Sequence, residues 1–132
     1  MSENKSKMYI LLLDDPAIDL GHRILAASHA SLSGFLTFVD FEVNEIIKSN
    51  LIMEVHPTHT EDWAKNSFRK VVCKVTKEEF TKAKTYGENM KDYRVMVEMG
   101  LGGMEVAIVV RPRNTSEDNS FNRFLKSLKL YK

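Results

Sequence analysis

The chain has little of what staples or biases a protein. It carries one cysteine, Cys73, so no disulfide can close within it, which fits a reducing compartment. It has three prolines and six glycines in 132 residues, with no internal repeat and no low-complexity tract. Neither sign of charge dominates: 19 basic residues face 18 acidic ones, for a formal net charge of +1. Total charge therefore does not announce a nucleic-acid binder, although a local basic patch stays open, because phosphate affinity depends on where charges lie. The apolar run Met8 to Leu13 is too short for the hydrophobic core of a signal peptide and far too short to span a bilayer. The expectation is a soluble, cytoplasmic protein with no membrane partner.

What is present suits one compact domain. With 43% hydrophobic residues the chain can bury a real core, expected over residues 8–132 behind a frayed tail of residues 1–7. Met8-Tyr9-Ile10-Leu11-Leu12-Leu13 is continuously apolar and reads as a strand buried on both faces, ended by Asp14-Asp15-Pro16. From Asp19 the period changes. Ile24, Leu25, Leu32, Phe35 and Leu36 recur at helical spacing among Ala26, Ala27, Ala30 and Ser31, with Asp19 as N-cap and Gly34 marking close packing or a bend. Val39 to Asn50 reads as helical again, and Leu51 to Val55 as a short extra strand.

Arg69 to Val75 is a β-branched strand, and Thr76-Lys77-Glu78-Glu79 opens a helix with a capping box, ended by Gly87 or Asn89. Tyr93 to Met99 and Met104 to Val110 read as two strands of a hairpin, joined by Gly100-Leu101-Gly102-Gly103. Arg111-Pro112 then leaves the sheet, and Ser120 to Leu130 forms a last amphipathic helix. The fold expected is α/β: one domain, a four-stranded mixed sheet, and helices on both faces.

This order, with particular residues inside it, resembles the archaeal and eukaryotic class of peptidyl-tRNA hydrolase, class II. Tyr9 to Leu13 is similar to that family's first strand, and Gly21-His22-Arg23-Ile24-Leu25-Ala26-Ala27-Ser28-His29-Ala30 to its helix start and Ser-His-Ala segment. Trp63 before Lys70 to Val75, Ala107 to Pro112, and Leu125 to Leu130 resemble the later pieces, so the likeness runs through nearly the whole chain. It implies cleavage of the ester between a peptide and the 3′ end of tRNA, and a homodimer. The family's presumed catalytic set is a lysine at the helix start, an aspartate in an Asp-Ala-Gly-x-Thr loop and a threonine opening the last strand. Here Leu20, His22 and Arg23 stand around the helix start, Glu98-Met99-Gly100-Leu101-Gly102-Gly103 replaces the loop, and Val106, or Met104 in another register, replaces the threonine. A glutamine typical of the first helix is replaced by Ala26. The combination looks like a bacterial branch of the same superfamily with an altered site.

The candidate catalytic residues are His22, Asp15 and Glu98. His22 stands in the first helical turn, where free amides favour anions and disfavour an imidazolium. Asp15 or Glu98 would orient it or a water. Gly21, Arg23, Gly100, Gly102 and Gly103 are the candidate substrate-binding residues, with Asp14 beside them. The blander reading of the same residues is a solvated helix start. His29 lies two turns beyond His22, too far to share a metal, and reads as a buried, hydrogen-bonded histidine. His56 and His59 could converge on a metal with Glu54, Glu61 or Asp62, but a polar loop is the simpler reading. No metal or other cofactor is implied. Cys73 reads as a small buried hydrophobe rather than a nucleophile. Lys65, Arg69, Lys70, Arg111, Arg113, Lys126, Lys129 and Lys132 either form a basic surface for an RNA backbone or are ordinary solvated charges.

Three functions follow. One is hydrolysis of an ester or amide at a tRNA end or on a related small substrate. Another is a non-catalytic module for a small anionic ligand or an RNA end, with the fold and cleft kept and the reaction lost. The third is a structural or assembly role, mainly through a dimer.

Overall fold

The computed structural model describes residues 6–36, 40–43, 51–54, 63–90 and 93–132. The strands are β1 (Ser6–Leu13), β2 (Asp40–Val43), β3 (Leu51–Glu54), β4 (Arg69–Val75), β5 (Tyr93–Glu98), β6 (Met104–Asn114) and β7 (Lys129–Leu130). The α-helices are α1 (Leu20–Leu36), α2 (Lys77–Met90) and α3 (Ser120–Ser127). One mixed sheet has the order β5-β6-β1-β4-β7, with β1 and β4 parallel and the other pairs antiparallel. β2 and β3 form a separate antiparallel pair.

The α/β class is as expected, but the main sheet has five strands rather than four. The fifth is β7, inside the segment read as the end of the last helix. α3 stops at Ser127, Leu128 turns extended, and Lys129 and Leu130 pair with Lys74 and Cys73. The helical period ran on past the residue where pairing to an open strand edge became available. Asp40–Val43 likewise is a strand where a helix was expected: Phe41 and Val43 fit both periods over so short a run, and the partner strand decides. The short strand expected at Leu51 is present and is that partner. β1 begins at Ser6, so the end of the expected tail is paired, with Ser6 and Lys7 opposite Asn114 and Arg113. β6 correspondingly runs on through Pro112. The register shift between Lys7 and Tyr9 gives Pro112 a place in the ladder where no donor is needed. α2 continues through Gly87 and Asn89 to Met90.

Two helix starts follow the local sequence. Thr76 N donates to Glu79 Oε1 at 2.9 Å while Glu79 N donates to Thr76 Oγ1 at 3.1 Å, the full capping box. Asn119 caps α3 by accepting from Asn122 N at 2.8 Å. α2 and α3 meet through the rings of Tyr86, Phe121 and Phe124, and Arg113 is buried with its guanidinium over Phe121. That removes Arg113 from any basic surface.

β1 and β6 form the core of the sheet, with Met8 to Leu13 and Val106 to Val110 all buried. α1 is seated on the face that carries Met8 and Val109. Ala26 and Ala30 are buried, and at Gly34 a Cβ would lie 2.5 Å from Val109 Cγ2 and 2.9 Å from Met8 Cε. Gly34 is therefore a close-packing position, and α1 passes it without a break. On the opposite face Cys73 lies beside Tyr9, and Glu79 of α2 acts on its thiol.

Helix propensity alone predicts that Gly34→Ala stabilises the chain by about 1 kcal/mol. The contact with the stiff Val109 side chain predicts the reverse, because overpacking costs about 1–3 kcal/mol. Urea denaturation should show a net loss for Gly34→Ala, and a gain would contradict this seating of α1.

Candidate functional site

The exit from β1 is built as a tight polar loop. Asp15, almost buried, accepts from Ala17 N at 2.8 Å and has the Lys77 ammonium at 3.4 Å. Those hydrogen bonds, the first of them above all, hold its carboxyl below the ordinary value. Asp15 thus organises its own loop and faces the start of α2. The structure does not bring it to His22.

Arg23 is also committed to architecture. Its Nε donates to Ile18 O at 2.7 Å, Nη2 to Asp15 O at 3.0 Å, and Nη1 to Tyr131 Oη at 2.9 Å. Tyr131 N donates in turn to Val72 O at 2.9 Å, so the guanidinium joins the β1–α1 loop to the segment after β7. The Tyr131 hydrogen bond is the main cause of its raised pKa. The expected phosphate ligand is a clasp instead.

Asp19 is the N-cap expected, and it does more. Oδ1 accepts from His22 N at 2.9 Å, while Oδ2 lies 2.7 Å from His22 Nδ1. An ionised carboxylate can only accept, so Nδ1 carries the hydrogen, and in the neutral ring Nε2 is left with its lone pair. The two hydrogen bonds from His22, the backbone one first, hold the Asp19 carboxyl below its usual value. A single i, i+3 spacing thus caps the helix and selects a tautomer.

Glu98 reaches the same place from the other side. Its Oε1 accepts from Gly100 N at 2.8 Å as it caps a short 3-10 turn over Met99–Leu101. Gly102 and Gly103 then take φ of 70° and 82°, left-handed values that glycine adopts without strain, and the chain returns into β6. A Cβ on Gly100 would lie 3.1 Å from Glu98 Oε1 and 3.4 Å from His22 Nε2. The missing side chain is what lets carboxylate and imidazole approach one point. Gly21 is exposed beside the capping carboxylate.

From Glu98 a cleft of about 370 Å³ runs between α1 and β5, lined by Ala26, His29, Ser33, Arg94, Met96 and Glu98 among others. A register shift between Met96 and Val97 leaves Val106 as an extra residue of β6 and places it on the cleft wall. His29 is exposed and lines this cleft, contrary to the expectation of a buried histidine. The small residues around it, Ala26 and Ala30, are the buried ones.

Of the expected set, the structure brings together His22, Glu98 and Gly100, and leaves Asp15 and Arg23 elsewhere. Sequence reasoning missed Asp19 as the partner of His22, although the cap-to-N3 spacing carries that signal. It also missed His29, whose position depends on where β5 lies. Cys73 is buried, and burial pushes its thiol up to about 11, with Glu79 adding to the shift. His56 and His59 lie outside the described residues. Among the described residues, no group of three or more His, Cys, Asp or Glu is placed to hold a metal, and no helix is long and apolar enough to cross a membrane.

No known family's sequence profile matches the chain, and no curated protein does. Among solved structures it is similar to a protein of unknown function from Agrobacterium tumefaciens strain C58, with a TM-score of 0.54 and 12% identity over 97% of this chain and 98% of that one. At that identity the likeness concerns the fold alone.

Two outcomes follow. Asp19 has a lowered carboxyl pKa in the fold, so its stabilising contribution is fully present above the unfolded carboxylate value. It is lost as pH falls through the lower folded value. Asp19→Asn keeps a competent cap and should flatten that part of the acid limb in denaturation series across the acid range; an unchanged limb would contradict the pairing. Cys73 should resist a disulfide-exchange thiol reagent in the folded chain and react promptly in denaturant.

Proposed function

We propose that the chain hydrolyses an ester or amide of an acyl group carried on a tRNA end or on a related small molecule. The observation that carries this reading is the convergence of His22 Nε2 and Glu98 on Gly100, with Asp19 holding His22 from behind. In this mechanism His22 Nε2 takes a proton from a water that Glu98 orients. The water oxygen attacks the carbonyl carbon, and the carbonyl π pair moves onto its oxygen. That oxyanion sits toward the first turn of α1, whose partial positive charge favours it. Collapse re-forms the carbonyl, breaks the bond to the leaving oxygen or nitrogen, and returns the proton from His22 to the leaving group. Asp19 stabilises the imidazolium between the two transfers, and the adjoining cleft holds the acyl portion. No cofactor enters these steps. The resemblance to class II peptidyl-tRNA hydrolases supports the substrate class and a homodimer, although the catalytic set would be a different one.

A second reading, an anion or RNA-end module without turnover, draws on the lack of the lysine, aspartate and threonine of the resembled family's presumed catalytic set. Assays at high protein concentration with peptidyl-tRNA and with simple N-acylamino-acid esters separate the two. Turnover is expected, and His22→Ala should lower kcat/KM by about 10²–10⁴-fold. Asp19→Asn, which favours the wrong tautomer, should lower kcat with little change in KM. Gly100→Val should also lower kcat, because its side chain would occupy the space between Glu98 and His22. Absence of turnover above blank on either substrate class would defeat the hydrolase and favour the binding module. Mass in solution tests the dimer.

A further inference from the structure

The other flank of α1 carries a second cleft, of about 450 Å³, lined by Ser28, Ser31, Phe35, Trp63, Phe68 and Lys70 among others. Trp63 is its buried base. The indole Nε1 donates to Arg69 O at 2.6 Å, so its one polar atom is satisfied. Phe68 stacks on Trp63 with ring centroids 4.6 Å apart and planes 19° from parallel, yet Phe68 is 58% exposed. Its φ is 51°, a left-handed value that bulky residues avoid. Phe68 N donates to Trp63 O at 2.7 Å and closes a π-helical turn over Trp63–Ser67, which holds the strained residue. Stacking on Trp63 uses one face of the ring, yet more than half of the residue stays in water. Strain of this kind collects at sites of ligand contact.

The charge beside the ring is equally specific. The Lys70 ammonium is 4.0 Å from the Phe68 centroid and 5.4 Å from that of Trp63. With the rings 4.6 Å apart, those separations put the ammonium beside the stack rather than across the outer face of Phe68. With 58% of its surface exposed, Phe68 keeps ring surface for a second planar ring. Ser28 and Ser31 line the α1 wall.

We infer that this cleft binds a nucleotide, its base stacked on Phe68, its phosphate at Lys70 and its sugar or base edge toward Ser28 and Ser31. Aromatic side chains stack on any base, a lysine beside the stack supplies the counter-charge, and the cleft is of small-ligand size. The site is separate from His22 and does not depend on the hydrolase reading. A free nucleotide and the terminal nucleotide of an RNA offer the same chemistry.

Trp63 is the chain's single tryptophan, so its emission reports occupancy directly. Adenosine 5′-monophosphate titrated into the full chain, with excitation at wavelengths the base does not absorb, should give a saturable change, matched by calorimetry. Adenosine should bind more weakly, and inorganic phosphate should leave the emission unchanged. Phe68→Gly suits the left-handed backbone, so it should keep or raise the thermal midpoint while weakening AMP by about tenfold or more in calorimetry. Lys70→Gln should abolish the preference for AMP over adenosine. A trinucleotide ending in adenosine that binds more tightly than AMP marks an RNA end, and equal or weaker binding marks a free nucleotide. Absence of saturable binding at millimolar AMP overturns the proposal. So does an affinity unaffected by Phe68→Gly, or one lost in His22→Ala, which would put the nucleotide on the other flank.

Discussion

The close seat of α1 on β1 and β6 is the constraint from which the rest of the molecule follows. Ala26, Ala30 and Gly34 let the helix backbone down onto Met8 and Val109, where no larger residue at position 34 would fit without a shift. A helix set that deeply at the centre of a sheet leaves a shelf over the strands to each side. One shelf lies against β5 and becomes the cleft lined by His29 and Glu98. The other lies toward β4 and becomes the cleft floored by Trp63. The helix mouth meets the β5–β6 turn because the hairpin is carried by the same sheet.

Around that mouth the polar residues divide by task. Asp15 and Arg23 are used to tie chain segments together, through a loop turn, a lysine and the C-terminal tyrosine. Asp19, His22 and Glu98 are the groups whose geometry points at a common open place. The division follows from chemistry. A guanidinium with several donors can satisfy carbonyls and a phenol that would otherwise lack partners, whereas an imidazole held at one nitrogen keeps the other for a proton.

Much of this was legible in the residues. The buried run Met8 to Leu13, the β-branched strand at Arg69, the capping box at Thr76, the cap at Asp19 and the glycine-joined hairpin all depend on neighbours in sequence, and all formed. The strand at Asp40 and the turn from helix to strand at Leu128 did not announce themselves, since both are settled by a partner with an open edge. His22 and Glu98 were recognised as candidates, and Gly100 as part of their surroundings. His29 was misjudged because a helical position between small residues says nothing about which flank a distant strand leaves open.

By itself, then, the sequence determined the strands at Met8, Arg69, Tyr93 and Met104, where α1 and α2 begin, and that His22 would stand at a helix mouth. These are matters of φ and ψ preference, side-chain period and hydrogen bonds a few residues long. The tertiary structure alone decided that Arg23 would be a clasp, that Glu98 would face His22 across Gly100, and that Phe68 would stand strained and exposed over Trp63. Each of those depends on segments far apart in the chain, and local preference holds no information about distances between them until the sheet has fixed its order.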